Sequence, residues 1–173
     1  MNENIQIGQS IQKKIKESGI KAKWLAKQID CSESKMSRIC KQRQLIDTDT
    51  LIQISIHLEY NFCDDYAKYV DKQMQKKSSF SLSHIYKFIT NEGMHIGKLI
   101  QKVKEVKDIK ICWMSEMLPY SEGNIYKIFK REKVDMDLLV SFCVCLEFNF
   151  FDICAEYVNE QIQKKNSDNQ YIT

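Results

Sequence analysis

Apolar residues recur along this chain at helical spacing. Ile7, Ile11 and Ile15 stand at i, i+4 and i+8, one face of a helix, and Gly19 follows as a C-terminal stop. The pattern next predicts a short helix over about residues 21–29 with Trp24, Leu25 and Ile29 inward, then a turn at Asp30, Cys31 and Ser32. Ser32 is suited to N-cap a third helix reaching about Gln42, with Lys35 where a capping-box acid would stand. Met36, Ile39 and Cys40 form that helix's buried stripe. Asp47 or Thr48 opens a fourth helix through Leu58, with Leu51, Ile54 and Leu58 inside. A fifth covers about residues 62–77, and Asp64 and Asp65 in its first turn complement the helix dipole.

The same pattern then occurs again. At a shift of 89 residues Ile7-Gly8 returns as Ile96-Gly97, Trp24 as Trp113, Ser32-Glu33 as Ser121-Glu122, Met36 as Ile125, Arg38 as Lys127 and Ile39 as Ile128. One residue is lost before Val134, and the shift becomes 88. Asp47 and Asp49 then pair with Asp135 and Asp137, and Leu58-Glu59-Tyr60-Asn61-Phe62 with Leu146-Glu147-Phe148-Asn149-Phe150. A match this long marks an internal duplication. The second copy predicts helices over about residues 96–106, 109–118, 121–130, 135–146 and 150–165. The chain therefore divides into a first unit (1–77), a linker (78–95), a second unit (96–165) and a flexible tail (166–173). Ser78-Ser79 and Asn91-Glu92-Gly93 suit loops, and residues 80–89 between them suit a short helix or a strand.

Composition sharpens this picture in a few places. One Pro and five Gly in 173 residues leave too little punctuation for an all-β fold or a Gly-rich phosphate loop. The expected class is all-α. No apolar run approaches the roughly 20 residues of a membrane span, and residues 1–8 lack the basic-then-apolar order of a signal peptide. The seven cysteines are odd in number, and most lie on apolar stripes. That points to reduced core thiols in a cytoplasmic protein rather than a disulfide framework. With no C-x-x-C pair and with His57, His84 and His95 far apart, no zinc site and no cofactor are expected. No nucleophile, base and orienting group can be assembled, so no enzyme activity is expected. Trp24 and Trp113 are expected in the core. Phe148, Phe150, Phe151 and Tyr157 are expected to close the core of their unit or to pack one copy against the other.

Charge is uneven. Residues 1–90 carry 15 Lys/Arg and 10 Asp/Glu, a net +5, whereas residues 91–173 are at −2. The basic residues gather on the second and third helices of each copy. Between Lys21 and Arg43 there are seven, against Asp30 and Glu33; between Lys110 and Lys133 there are five, against Glu116, Glu122 and Glu132.

Residues 21–42 and 110–130 resemble the helix-turn-helix of the lambda-repressor-like (Cro/XRE-type) family. The likeness rests on Leu25-Ala26, on Ile29 before the turn, on Ser32 opening the third helix, and on Met36 and Ile39 on its buried face. The flanking helices match that family's five-helix layout. Where the family usually has Gly in the turn, this chain has Asp30 and Pro119; Pro cannot take a positive φ, so the second turn must differ in detail. The resemblance implies two tandem five-helix domains forming a pseudo-dimer, and a sequence-specific regulator of transcription that binds double-stranded DNA. It would work in the cytoplasm, on the nucleoid, in a bacterium or encoded by a phage.

By position, the resemblance makes Ser32, Glu33, Ser34, Lys35 and Arg38 groove-facing in the first copy. In the second they are Ser121, Glu122, Gly123, Asn124 and Lys127, with Tyr126 alongside. Arg38 suits guanine O6/N7, Glu33 cytosine N4, and Asn124 adenine. Lys21, Lys23, Lys41 and Arg43, then Lys110, Lys130, Arg131 and Lys133, suit phosphates. Gly123 weakens its helix slightly, so the first copy should contribute more binding than the second, on an operator with unequal half-sites. The rival expectation is a protein-interaction adaptor that keeps the fold without binding DNA. Further homodimerisation remains open, and a small-molecule sensor would need a pocket in or near the linker that the residues alone do not reveal.

Overall fold

The computed structural model describes residues 6–74 and 94–170. The predicted element at 80–89, both predicted linker loops and the 75–77 end of the fifth helix lie outside the described residues. Within them the fold is all-α, with ten helices and no strand: α1 (Ile7–Glu17), α2 (Ala22–Gln28), α3 (Glu33–Cys40), α4 (Thr48–Leu58), α5 (Phe62–Gln73), α6 (Ile96–Val106), α7 (Ile111–Met117), α8 (Glu122–Phe129), α9 (Met136–Leu146) and α10 (Phe150–Gln170). Local chemistry sets their ends. Gly19 stops α1 with φ +67°, and Asp108 takes the same left-handed role after α6 at φ +50°. Glu59 and Glu147 end α4 and α9 in that region as well, at φ +51° and +47°. One expectation fails here: α10 runs on to Gln170, so the tail expected from residue 166 is helical to that point. Nothing between Lys165 and Gln170 breaks a helix, and the Ser167 hydroxyl bonds back to the Gln163 carbonyl at 3.0 Å. No described helix is long and apolar enough to cross a membrane.

The core uses the same positions in both halves. Ile11, Leu25, Met36, Leu51, Ile54 and Phe62 are buried in the first; Ile100, Met114, Ile125, Leu139, Phe142 and Phe150 stand at their counterparts in the second. The Ile-Gly pair at the start of α1 and α6 has a separate task. A Cβ on Gly97 would lie 2.5 Å from the carbonyl oxygens of Ile128 and Phe129 and 2.6 Å from that of Arg131, and one on Gly8 would run into the Ile39 carbonyl. The first turn of the first helix is thus pressed on the C-terminal end of the third. In the second half Ile96 and Gly97 also donate their N–H groups there, to the carbonyls of Glu132 and Arg131, each at 3.0 Å.

The halves meet along a seam. Asp47 and Asp135 form an isolated antiparallel bridge. Thr48 N–H donates to the Val134 carbonyl at 2.9 Å, and Met136 N–H donates to the Ile46 carbonyl at 3.0 Å. Deeper in, the Asn61 amide donates to the Ala155 carbonyl at 2.8 Å and to Asn159 Oδ1 at 3.0 Å. The Asn149 amide donates to the Ala67 carbonyl and to Asp71 Oδ1, both at 3.0 Å. Each bond has its counterpart with the halves exchanged, because Asn61, Ala67 and Asp71 correspond to Asn149, Ala155 and Asn159. That is the contact pattern of an isologous interface.

Apolar groups follow suit. Tyr66 stacks on Phe151 with ring centres 4.9 Å apart and planes 13° from parallel. At the exchanged position the thiols of Cys63 and Cys154 hydrogen-bond, and this bond together with burial pushes the Cys63 thiol far above its ordinary range. Phe148 and Phe150 pack on each other at 4.9 Å, so the aromatic run both closes its own half and grips the other. All seven cysteines are free; five are buried, while Cys31 is half-buried and Cys112 exposed.

Two glycines separate close approach from mere propensity. Gly123, inside α8, has nothing within 4 Å of where its Cβ would sit. Gly97→Ala should therefore destabilise the protein by about 1–3 kcal/mol through overpacking. Gly123→Ala should stabilise it by roughly 0.5–1 kcal/mol. Urea denaturation of the two variants checks both signs.

Candidate nucleic-acid interface

The candidate surface is built on α2–α3 and α7–α8. In the first half Asp30 takes φ +49°, and Cys31 N–H closes the turn onto the Ala26 carbonyl at 2.9 Å. In the second half Leu118 is extended, φ −112° and ψ 149°, the conformation imposed on a residue preceding proline. There Tyr120 N–H bonds to the Leu118 carbonyl at 2.7 Å instead. The two turns differ as Pro119 required.

Capping differs as well. Ser32 Oγ accepts from Lys35 N–H at 3.1 Å. Asp47 caps α4, accepting from Thr50 N–H at 2.9 Å. Ser121 and Asp135, their counterparts, make no side-chain cap. Asp47 has a further partner, the Lys35 ammonium at 3.7 Å, which also lies 3.5 Å from Thr50 Oγ1. Lys35 is half-buried. Its charge is engaged within the protein in a part-buried contact, tying α3 to the start of α4.

The other residues expected to read bases are open to solvent. Ser32, Glu33, Ser34 and Arg38 are exposed on α3 and its cap, and so are Ser121, Glu122, Asn124 and Lys127 on and before α8. The residues expected to touch phosphate, Lys21, Lys23, Lys41, Arg43, Lys110, Lys130, Arg131 and Lys133, are all exposed. Glu33 pairs with Lys23 at 3.1 Å, a contact between two exposed groups that contributes little and gives way easily. The main packing partners of α3 are α1 and α2, and those of α8 are α6 and α7; the seam draws chiefly on α4, α5, α9 and α10. Both third helices lead by short connections into the Asp47–Asp135 bridge, so their C-terminal ends approach the seam from either side.

Several features were not foreseen. Trp24 and Trp113, expected in the core, are 44% and 40% exposed. Their helices have only seven residues, and Leu25 and Met114, one position on, fill the inward sites. A neighbour 100° away then falls on the helix flank, where Trp24 meets His57 edge-on at 6.1 Å. Burial and nearby Lys165 lower the His57 pKa, which keeps the ring neutral at pH 7. Exposed Lys27 joins Lys21, Lys23 and Trp24 around a depression reaching Ser32; its place among the basic residues of α2 was visible in the sequence, but not its direction. Leu45, from the first half, stands beside Tyr120, Asn124, Lys127 and Arg131 of the second, where a depression of about 330 Å³ forms. No repeat position foretold Leu45, since the second copy lacks one residue in that loop.

Among the described residues no group of three or more His, Cys, Asp or Glu side chains could hold a metal. Compared with known proteins, the chain matches no family model, no curated protein and no solved structure.

The unequal caps give a direct check. Ser32→Ala should cost about 1 kcal/mol of stability, and Ser121→Ala less than about 0.5 kcal/mol, the ordinary range of a surface change. Equal losses in thermal unfolding would contradict the geometry.

Proposed function

We propose that this protein is a sequence-specific double-stranded DNA-binding regulator of transcription. In this reading it is two tandem lambda-repressor-like helix-turn-helix domains arranged as a covalent pseudo-dimer. One observation carries the proposal: the seam bonds exchange the halves while Arg38 on α3 and Lys127 on α8 stay exposed, Lys127 at the edge of the contact beside Leu45. Duplex DNA has dyads perpendicular to its axis, and a protein whose halves are exchanged about one dyad can offer like helices to successive major grooves about 34 Å apart.

In the first half-site Arg38 reads guanine through its fork and Glu33 accepts from cytosine, with Ser32 and Ser34 making short contacts. In the second, Asn124 reads adenine, with Lys127, Ser121 and Glu122 beside it. Lys21, Lys23, Lys41 and Arg43, and Lys110, Lys130, Arg131 and Lys133, fix the register on phosphate. Lys35 supports α3 from within. The half-sites therefore differ.

A second reading, a protein-binding adaptor, has one observation in its favour. Val106, Trp113, Met117 and Tyr126 are exposed in the second half, where the first has Glu17, Trp24, Gln28 and Ser37.

Binding to random duplex DNA separates the two. A protein neutralising six to ten phosphates loses about 10³–10⁵ in affinity between 50 and 200 mM salt, and that steep fall is the expected result. Arg38→Ala should cost about 1–3 kcal/mol on a selected site and relax preference at one base pair, more than Asn124→Ala. Weak, salt-insensitive association at 50 mM would leave the adaptor standing.

A further inference from the structure

The flanks of α3 and α8 beside the next helix are filled differently. In the first half the Lys35 ammonium occupies this place, 3.7 Å from the Asp47 carboxylate and 3.5 Å from Thr50 Oγ1. The corresponding residues of the second half are Asn124, Asp135 and Leu138. Asn124 brings no ammonium, and Leu138 has no hydroxyl to receive one. A depression of about 330 Å³ stands open there instead, beside exposed Asn124.

That depression joins two chemistries. Leu45, Ile128 and Leu138 supply an apolar side, and Asn124 and Lys127 border it with polar groups. Ile128 and Leu138 are buried, whereas Leu45 is 60% exposed, so Leu45 is the apolar group within reach of a visitor. It comes from the other half. It stands one residue before Ile46, whose carbonyl accepts from Met136 N–H across the seam at 3.0 Å, and this bond holds the α3–α4 connection beside α8. A lone exposed leucine is ordinary. One fixed beside the two side chains that the preceding reading places in the groove is not. In the major groove an A·T pair offers the matching combination, N7 and N6 of adenine for an amide and the C5-methyl of thymine for an apolar group. A G·C pair has no methyl.

We infer that Leu45 is a specificity-determining residue of the second half-site, where it contacts the C5-methyl of a thymine next to the adenine read by Asn124. The inference rests on the DNA-binding reading and adds the composition of that half-site. It also makes the half-site a product of both halves, since α8 supplies the amide and the α3–α4 connection the apolar contact. The first half-site has no equivalent. The residue before Val134 is Lys133, where the first half has Leu45 before Ile46, and an ammonium tip gives a methyl group nothing to pack on.

Uracil differs from thymine by that methyl alone. In a duplex selected by the full chain, each thymine is replaced by uracil in turn, and affinity is measured by fluorescence anisotropy at fixed salt. Asn124→Ala identifies the second half-site as the one whose adenine preference relaxes. One replacement within it should weaken binding about fourfold, the worth of one buried methyl group. Replacements in the other half-site should leave affinity unchanged. Leu45→Ala, which opens no core cavity because the side chain is exposed, should bring the thymine duplex down to the affinity of the uracil duplex. Uracil tolerated at every position by a chain that still binds its selected site would overturn this inference and leave the DNA-binding reading standing. So would a thymine preference that survives in Leu45→Ala. A chain for which no preferred duplex can be selected would overturn both.

Discussion

Two asparagine amides hold this molecule in its arrangement. Asn61 and Asn149 each cap a helix with the side-chain oxygen, accepting from Cys63 N–H and Phe151 N–H at 3.1 Å, and each sends its NH₂ across the seam. A backbone carbonyl inside a helix already accepts one bond, and its second lone pair is what these amides use. Because Asn149 is buried, losing its partners would strand polar atoms away from water, which costs more than the bond itself contributes. The Tyr66–Phe151 stack and the buried helices around it add apolar area to the same contact. Everything proposed for α3 and α8 depends on this seam, since among the described residues it sets where one half stands relative to the other.

Tandem duplication changes what such a seam can do. Two identical chains must keep one sequence for both halves, and their association depends on concentration. Joined in one chain, the halves meet at an effective concentration set by the linker, and each is free to change separately. The changes gather at the candidate interface. Pro119 remakes the second turn, one residue leaves the connection after α8, Ser121 does not cap, and Asn124 stands where Lys35 is tied to Asp47. Most core positions, by contrast, keep their apolar character, although buried Thr48, Thr50 and Ser55 stand where the second half has Met136, Leu138 and Cys143.

Much of this was legible in the sequence, and the physical reasons are plain. The helices were readable because apolar spacing, Ser32, Asp47 and Gly19 all act within a few residues of where they stand. The duplication was readable because the shift is nearly constant. The seam was not. Asn61 and Asn149 read as helix caps, which they are, and nothing local reveals that their second function points outward. The tryptophans misled for a related reason, since a two-turn helix offers one narrow inward stripe and its flank carries the same spacing. Arg38, Asn124 and Lys127 are exposed, whereas Lys35 is engaged by Asp47, twelve residues further on, which no local pattern announced. The unequal fit of the two connections at the seam could be seen only after the halves were set together, although the residue missing from the second copy was in view from the start.

The central claim is that α3 and α8 engage one duplex together. Hydroxyl-radical footprinting of the full chain on a selected site tests it most directly. Two protected stretches on the same face of the duplex, centred about 10 base pairs apart, are the predicted result. A single protected stretch, or none above background, would mean that the two basic helices do not share a DNA molecule, and the proposed pseudo-dimer would lose its mechanism.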